Sequence, residues 1–114
     1  MHDIDRLERL LALLALNDEA SLEMVLARCR DEELAPRLGP KVELLIRLGA
    51  LLALGAPVAP VRATVEHALA AGATEEEITD VLITVAPAAG LARVVEAAPR
   101  LASALGYEAD AEDD

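Results

Sequence analysis

The chain has 114 residues and a formal net charge of −11, from 10 basic and 21 acidic residues. Hydrophobic residues make up 54% of it and aromatic residues only 1%. The length predicts one domain over residues 1–107 with a modest core of Leu, Val, Ile and Ala, and the acidity excludes nucleic acid and anionic membrane as expected partners.

The first residues carry acids and no basic segment ahead of an apolar run, so no leader is read there. Cys29 is the single cysteine and cannot form an internal disulfide. A cytoplasmic location is the expectation.

Residues 3–17, DIDRLERLLALLALN, predict a first helix. Ile4, Leu7, Leu11 and Leu14 fall on one stripe, with Asp5, Arg6 and Arg9 pointing away. Leu13 and Leu16 fall on the polar side, so the far end of this helix is expected to be covered twice. Asn17-Asp18 predicts a turn. A second helix over about 19–34 carries Leu22, Val25, Leu26 and Cys29 on one side, with Cys29 expected as a small core residue. Residues 35–39, APRLG, form the linker onward.

The organising stretch is Pro40 to Gly72. Pro40 suits a first helical turn, whose N–H groups have no partner anyway. From Leu44 to Leu54 the apolar residues go nearly all round, with Leu45, Leu48 and Leu52 on one side and Leu44, Leu51 and Leu54 on the other. Arg47 is the only charge among them. Such a helix is buried on several sides. It is too short to span a bilayer, which needs about 20 apolar residues. Gly55-Ala56-Pro57 breaks it, and a return helix is predicted from about Pro60 to Ala71.

Gly72 suits a left-handed cap. Thr74 followed three residues later by Glu77 is a capping box, and the acids of Glu75 to Glu77 suit a helix start. The fifth helix is predicted over about 75–86, with Ile78, Val81, Leu82 and Val85 inward and Ile83 on an apolar second side. Pro87 and Gly90 interrupt the pattern. A sixth helix follows over about 90–106, with Leu91, Val94, Val95, Ala98, Ala102 and Leu105 inward. Arg93, Glu96 and Arg100 face outward at ion-pair spacing, and Pro99 is expected to bend this helix. Residues 108–114, EADAEDD, predict a disordered tail. There is no repeat and no useful β-alternation. The expected architecture is an all-α compact bundle of about six helices around a central helical hairpin.

Chemistry-bearing motifs are sparse. The six glycines are scattered, with no phosphate loop. No His/Cys/Asp/Glu group has metal-ligand spacing, and Ser21 and Ser103 sit on helical faces with no nucleophile elbow. Neither a metal nor a cofactor is expected. Arg47 is either paired with Glu43, four residues back, or a pocket cation for a ligand carboxylate. Thr64 borders the Val61/Val65/Ala68 stripe and faces a cavity or bonds to the backbone. His67 lies off that stripe and is expected at the surface. Arg62 and Glu66 share a face and are expected to pair. A ligand site here would draw on Arg47, Thr64, Arg62 and His67.

PKVELLIRLGALLALGAPVAPVRATVEHALAAGATEEEI resembles the signature region of the carboxymuconolactone decarboxylase and alkylhydroperoxidase D family. The matching pieces are the PK…LIRL…ALLALG helix, the VEHALAAG helix and the GATEEEI cap, in that order. The likeness continues through VLITVAPAAGLARVVEAAPRLASALGY, covering residues 38–107, and the early LALNDEA segment fits the same branch.

The resemblance implies an alkylhydroperoxidase D-like fold and a homo-trimer or homo-hexamer. Redox members of the family carry Glu-x11-Cys-x2-Cys-x3-His on this hairpin, where the cysteine pair reduces peroxide or a disulfide. Counting back from Gly72 puts the cysteine slots at Pro57 and Pro60 and the His slot at Thr64. Counting forward from Gly55 gives Ala56, Ala59 and Ala63. The Glu slot falls on Leu44, beside Glu43. Every redox residue is absent, and the polar groups of the decarboxylase proper are mostly replaced by Ala, Pro and Val. The expected function is a homo-oligomeric small-molecule binder, or a non-redox, lyase- or isomerase-like enzyme, for a small carboxylated or lactone-type compound. The alternative is a catalytically silent structural or interaction subunit.

Overall fold

The structure is a computed structural model. It describes the backbone of residues 2–30 and 38–107 and the side chains of 4–28 and 38–107. The described residues hold six helices and no strand, as predicted. They divide into two compact units, one ahead of Leu38 and one from Leu38 onward. The expectations for the Cys29 side chain, for the helix beyond residue 30, for most of the linker and for the acidic tail lie outside the described residues.

In the first unit, α1 (His2–Ala15) and α2 (Glu19–Arg30) are joined by the predicted turn. Asn17 takes the left-handed conformation there, with φ 61°. Asp18 then caps α2: its Oδ2 accepts from the Ser21 amide at 3.0 Å and the Ser21 hydroxyl at 2.8 Å. Those two bonds, the hydroxyl's first, hold the Asp18 carboxyl below its ordinary pKa. The α1 stripe of Ile4, Leu7 and Leu11 is exposed, and so are Leu22, Val25 and Leu26 of α2. Leu16, one residue past the end of α1, is exposed as well.

The second unit is built on the hairpin of α3 (Pro40–Leu54) and α4 (Val58–Ala70), packed against α5 (Glu75–Ala89) and α6 (Leu91–Ala104). Leu48, Leu52, Val61, Val65, Ala68, Ile78, Ala97 and Leu101 form its core. Leu44, Leu45 and Leu51 pack against that core from α3. The predicted all-round burial of α3 is incomplete, since Ile46 and Leu54 point outward and are exposed.

The hairpin turn is made by the chain end of α3. Gly55 sits at φ 75°, and the Ala56 amide reaches back to the Leu51 carbonyl at 2.9 Å. This satisfies a last-turn carbonyl with a left-handed residue that glycine adopts without strain. A Cβ on Gly55 would also collide with the Arg93 guanidinium. Helix α4 begins two residues earlier than predicted, at Val58, because Pro57 serves as its N-cap and Pro60 falls in the first turn. A proline there forfeits no intrahelical bond.

The capping box at Thr74 is formed as predicted. The Glu77 amide donates to the Thr74 hydroxyl at 3.0 Å, and the Thr74 amide donates to Glu77 Oε1 at 2.9 Å. Helix α5 continues past Pro87 to Ala89, beyond its predicted end at residue 86. Gly90, at φ 94°, separates it from α6.

Helix α6 keeps only part of its predicted inner stripe: Val94, Ala102 and Leu105 are half-buried, and Ala98 is exposed. Val94, Ala97, Leu101 and Leu105 turn inward, while Leu91 and Val95 are 77% and 73% exposed. Both sets have helical spacing, so the chain carries two apolar stripes on one helix and only one meets the core. Arg93 and Glu96 pair at 2.9 Å as expected. Arg100 is half-buried and not wholly outward: it donates to the carbonyls of Gly55 and Ala56 at 3.3 and 3.4 Å, in the hairpin turn.

Candidate functional site

Helices α3 and α5 run side by side in the same direction. Lys41 near the start of α3 pairs with Glu77 near the start of α5 at 2.9 Å. Farther along, Gly49 faces Val81 and Val85. A Cβ built on Gly49 would stand 3.1 Å from Val85 Cγ1 and 3.4 Å from Val81 Cγ1. Glycine therefore sets the closeness of the two helices at this point.

Outside that contact the two helices leave a groove of about 580 Å³. The α3 wall is wholly apolar: Val42, Leu45, Ile46, Gly49, Ala50 and Ala53. The α5 wall is mixed, with Val81, Val85 and Ala88 beside Glu77, Asp80 and Thr84. Small residues form much of it, so the space exists because Gly and Ala occupy positions that Leu fills elsewhere in the core. A groove of this size suits a small organic molecule with an apolar body.

The charges along it are unequal. Glu77 is occupied by Lys41 and by the Thr74 amide, which in that order hold its carboxyl below the ordinary pKa. Asp80 has no hydrogen-bond or ion-pair partner among the described residues. The α3 wall contributes no charge.

The four residues expected from the sequence lie outside this groove, Arg47 on α3 and Arg62, Thr64 and His67 on α4. Arg47 projects from the exposed side of α3 and pairs with Glu43 at 2.8 Å, the plainer of its two readings. Thr64 is buried on α4, 7% exposed, among Val61, Val65 and Ala68. Arg62 is exposed and donates to the Ser103 hydroxyl on α6 at 2.8 Å, so it does not pair with Glu66 as expected. A cross-helix partner lies closer to its guanidinium than the neighbour one turn on. His67 is exposed in the last turn of α4, as expected. None of the four lines the groove.

Among the described residues no three His, Cys, Asp or Glu side chains converge as a metal group would need. No helix among them is long and apolar enough to cross a membrane.

The groove residues had a partial signal in the sequence. Gly49, Ala50 and Ala53 interrupt the leucines of α3 on one side, and Val81, Val85 and Ala88 follow the same spacing on α5. What the sequence did not contain was the pairing of those two faces.

No curated protein and no solved structure matches the chain significantly. The family model described as carboxymuconolactone decarboxylase family matches residues 20–103. With that match spanning α3, α4, α5 and nearly all of α6, the chain belongs to the carboxymuconolactone decarboxylase family.

Proposed function

We propose that this family member is a homo-oligomeric binder of a small, largely apolar molecule, or a non-redox, lyase- or isomerase-like enzyme acting on one, working without dithiol chemistry. The observation that carries the reading is the α3/α5 groove, about 580 Å³ in volume and apolar along one whole wall. The family's hairpin slots hold Pro, Ala, Thr and Leu, and the chain's one cysteine has no second cysteine to resolve it.

Of the two expected ligand types, a neutral lactone-type compound fits the groove better than a free carboxylate. An anion would meet Glu77 and Asp80 there. At Arg47 it would have to displace Glu43 from a 2.8 Å ion pair.

Assembly into a trimer or hexamer is part of the proposal. Leu54, Ile83, Leu91 and Val95 are exposed and lie outside the groove, Leu54 at 79% and Ile83 at 64%. Exposed apolar residues at helical spacing, when they join into patches beyond a few hundred Å², usually mark interfaces. These residues also support the second reading, a silent subunit that keeps the family's assembly.

Thermal-shift titration separates the readings. Small neutral lactones or alcohols raise the melting temperature of the wild type but not of Ala53→Phe, in which a ring fills the groove. No shift with any neutral apolar compound leaves the silent subunit as the better account. Sedimentation at micromolar concentration tests the assembly: a trimer or hexamer is expected, and a monomer contradicts it. No dithiol-dependent peroxidase turnover is expected, and turnover lost in Cys29→Ser would contradict that.

A further inference from the structure

The groove is not electrically even, and its asymmetry bears on the head group of its occupant. At the end where α3 and α5 begin, Lys41 and Glu77 neutralise each other at 2.9 Å. One turn farther along α5 stands Asp80, on the groove wall and exposed to water. Asp80 has no hydrogen-bond or ion-pair partner among the described residues. The Thr84 hydroxyl follows on the same lip, one turn on. Opposite them the α3 wall, through Gly49 and Ala53, offers only apolar surface.

We propose that the groove takes an amphiphilic amine, with its apolar body along Gly49 and Ala53 and its ammonium group at Asp80. The inference rests on the reading of the groove as a small-molecule site and names the class of its ligand. A body of CH₂ groups gains by leaving water, roughly 25 cal/mol per Å² buried. A charged head cannot follow it onto the apolar wall without losing its hydration. It stays at the lip, where Asp80 supplies the opposite charge and Thr84 an acceptor oxygen. A carboxylate head meets repulsion at the same place, and a hydroxyl head can donate a hydrogen bond to Asp80 but brings no opposite charge. Because Asp80 is exposed, the preference is modest: exposed ion pairs correspond to about two- to fivefold in affinity.

The test uses three probes with one body and different heads: octylammonium, octan-1-ol and octanoate, titrated by calorimetry at low ionic strength. Octylammonium is expected to bind about two- to fivefold tighter than octan-1-ol, and octanoate weaker than both. Asp80→Asn abolishes the preference for the amine and leaves octan-1-ol binding unchanged. Glu66→Gln removes the same unit of charge from an exposed site on α4 and leaves the preference intact, which separates a local effect from the attraction of a chain of net charge −11. In the wild type alone, raising the salt to about 1 M, where the screening length falls to about 3 Å, erases the preference. Equal binding of amine and alcohol, or a preference that survives in Asp80→Asn, overturns the inference and leaves the groove reading standing. If none of the three probes binds, the groove reading fails first and takes this inference with it.

Discussion

Gly49 of α3 faces Val85 of α5 so closely that a methyl group on the glycine would lie 3.1 Å from the valine Cγ1. Ordinary carbon contacts stand at roughly 3.5–4.0 Å. This pair fixes the spacing of the two helices that wall the groove. Alanine there gains about 1 kcal/mol of helix propensity against the crowding. Valine gains less and adds two more carbons. Gly49→Val is therefore expected to lose about 1–3 kcal/mol of stability. In combination with Val85→Ala part of that loss is recovered, because the added methyls enter the space vacated. Chemical denaturation of the two singles and the double checks this, and strictly additive effects would contradict the contact.

The capping box predicts a pH dependence with a definite sign. The folded Glu77 carboxyl titrates below its ordinary value, chiefly through Lys41 and then the Thr74 amide. Its contribution is thus fully present above the unfolded pKa of roughly 4 and is lost as pH falls through the lower, folded pKa. Wild type and Glu77→Gln should differ in melting temperature at pH 7 and converge near pH 3. Thr74→Ala, which removes the hydroxyl that accepts from the Glu77 amide, is expected to lose about 1 kcal/mol at neutral pH. A gap between wild type and Glu77→Gln that widens on acidification would contradict the assignment.

Two arginines with similar sequence surroundings should behave differently. Arg47 makes an exposed ion pair one turn away, at 2.8 Å from Glu43. Arg47→Met is expected to change stability by less than about 1 kcal/mol. Arg100 reaches two carbonyls of the α3–α4 turn at 3.3 and 3.4 Å. Arg100→Met removes the donor that serves these two turn carbonyls and is expected to lose about 1–2 kcal/mol. Urea unfolding of both variants provides the comparison. A larger loss at Arg47 than at Arg100 would reverse the account.

The features that were readable in the sequence are those fixed within one turn of chain. The Thr74/Glu77 box, the helix break at Gly55, the left-handed Gly72 and the Asn17-Asp18 turn all formed where their residues predict. The register of α6 was not readable, because Leu91/Val95/Ala98 and Val94/Ala97/Leu101 are both apolar at helical spacing. Only the shape of α4 and α5 decides which set is buried. Helix α5 runs past Pro87 to Ala89, since a proline in the last turns of a helix forfeits one backbone bond without ending it. The groove was missed for a related reason. The resemblance directs attention to the hairpin slots around Arg47 and Thr64, whereas this groove lies on the other flank of α3, where Gly49 meets Val81 and Val85.

The location of binding is the central claim, and amide chemical-shift mapping reads it directly. With octan-1-ol as probe, saturable shifts are expected at Gly49, Ala53, Val81 and Val85, on the two helices that wall the groove. The amides of Arg62, Thr64 and His67 on α4 should stay in place. Shifts concentrated on those three α4 residues, with Val81 and Val85 unmoved, would return the site to the hairpin and contradict the account.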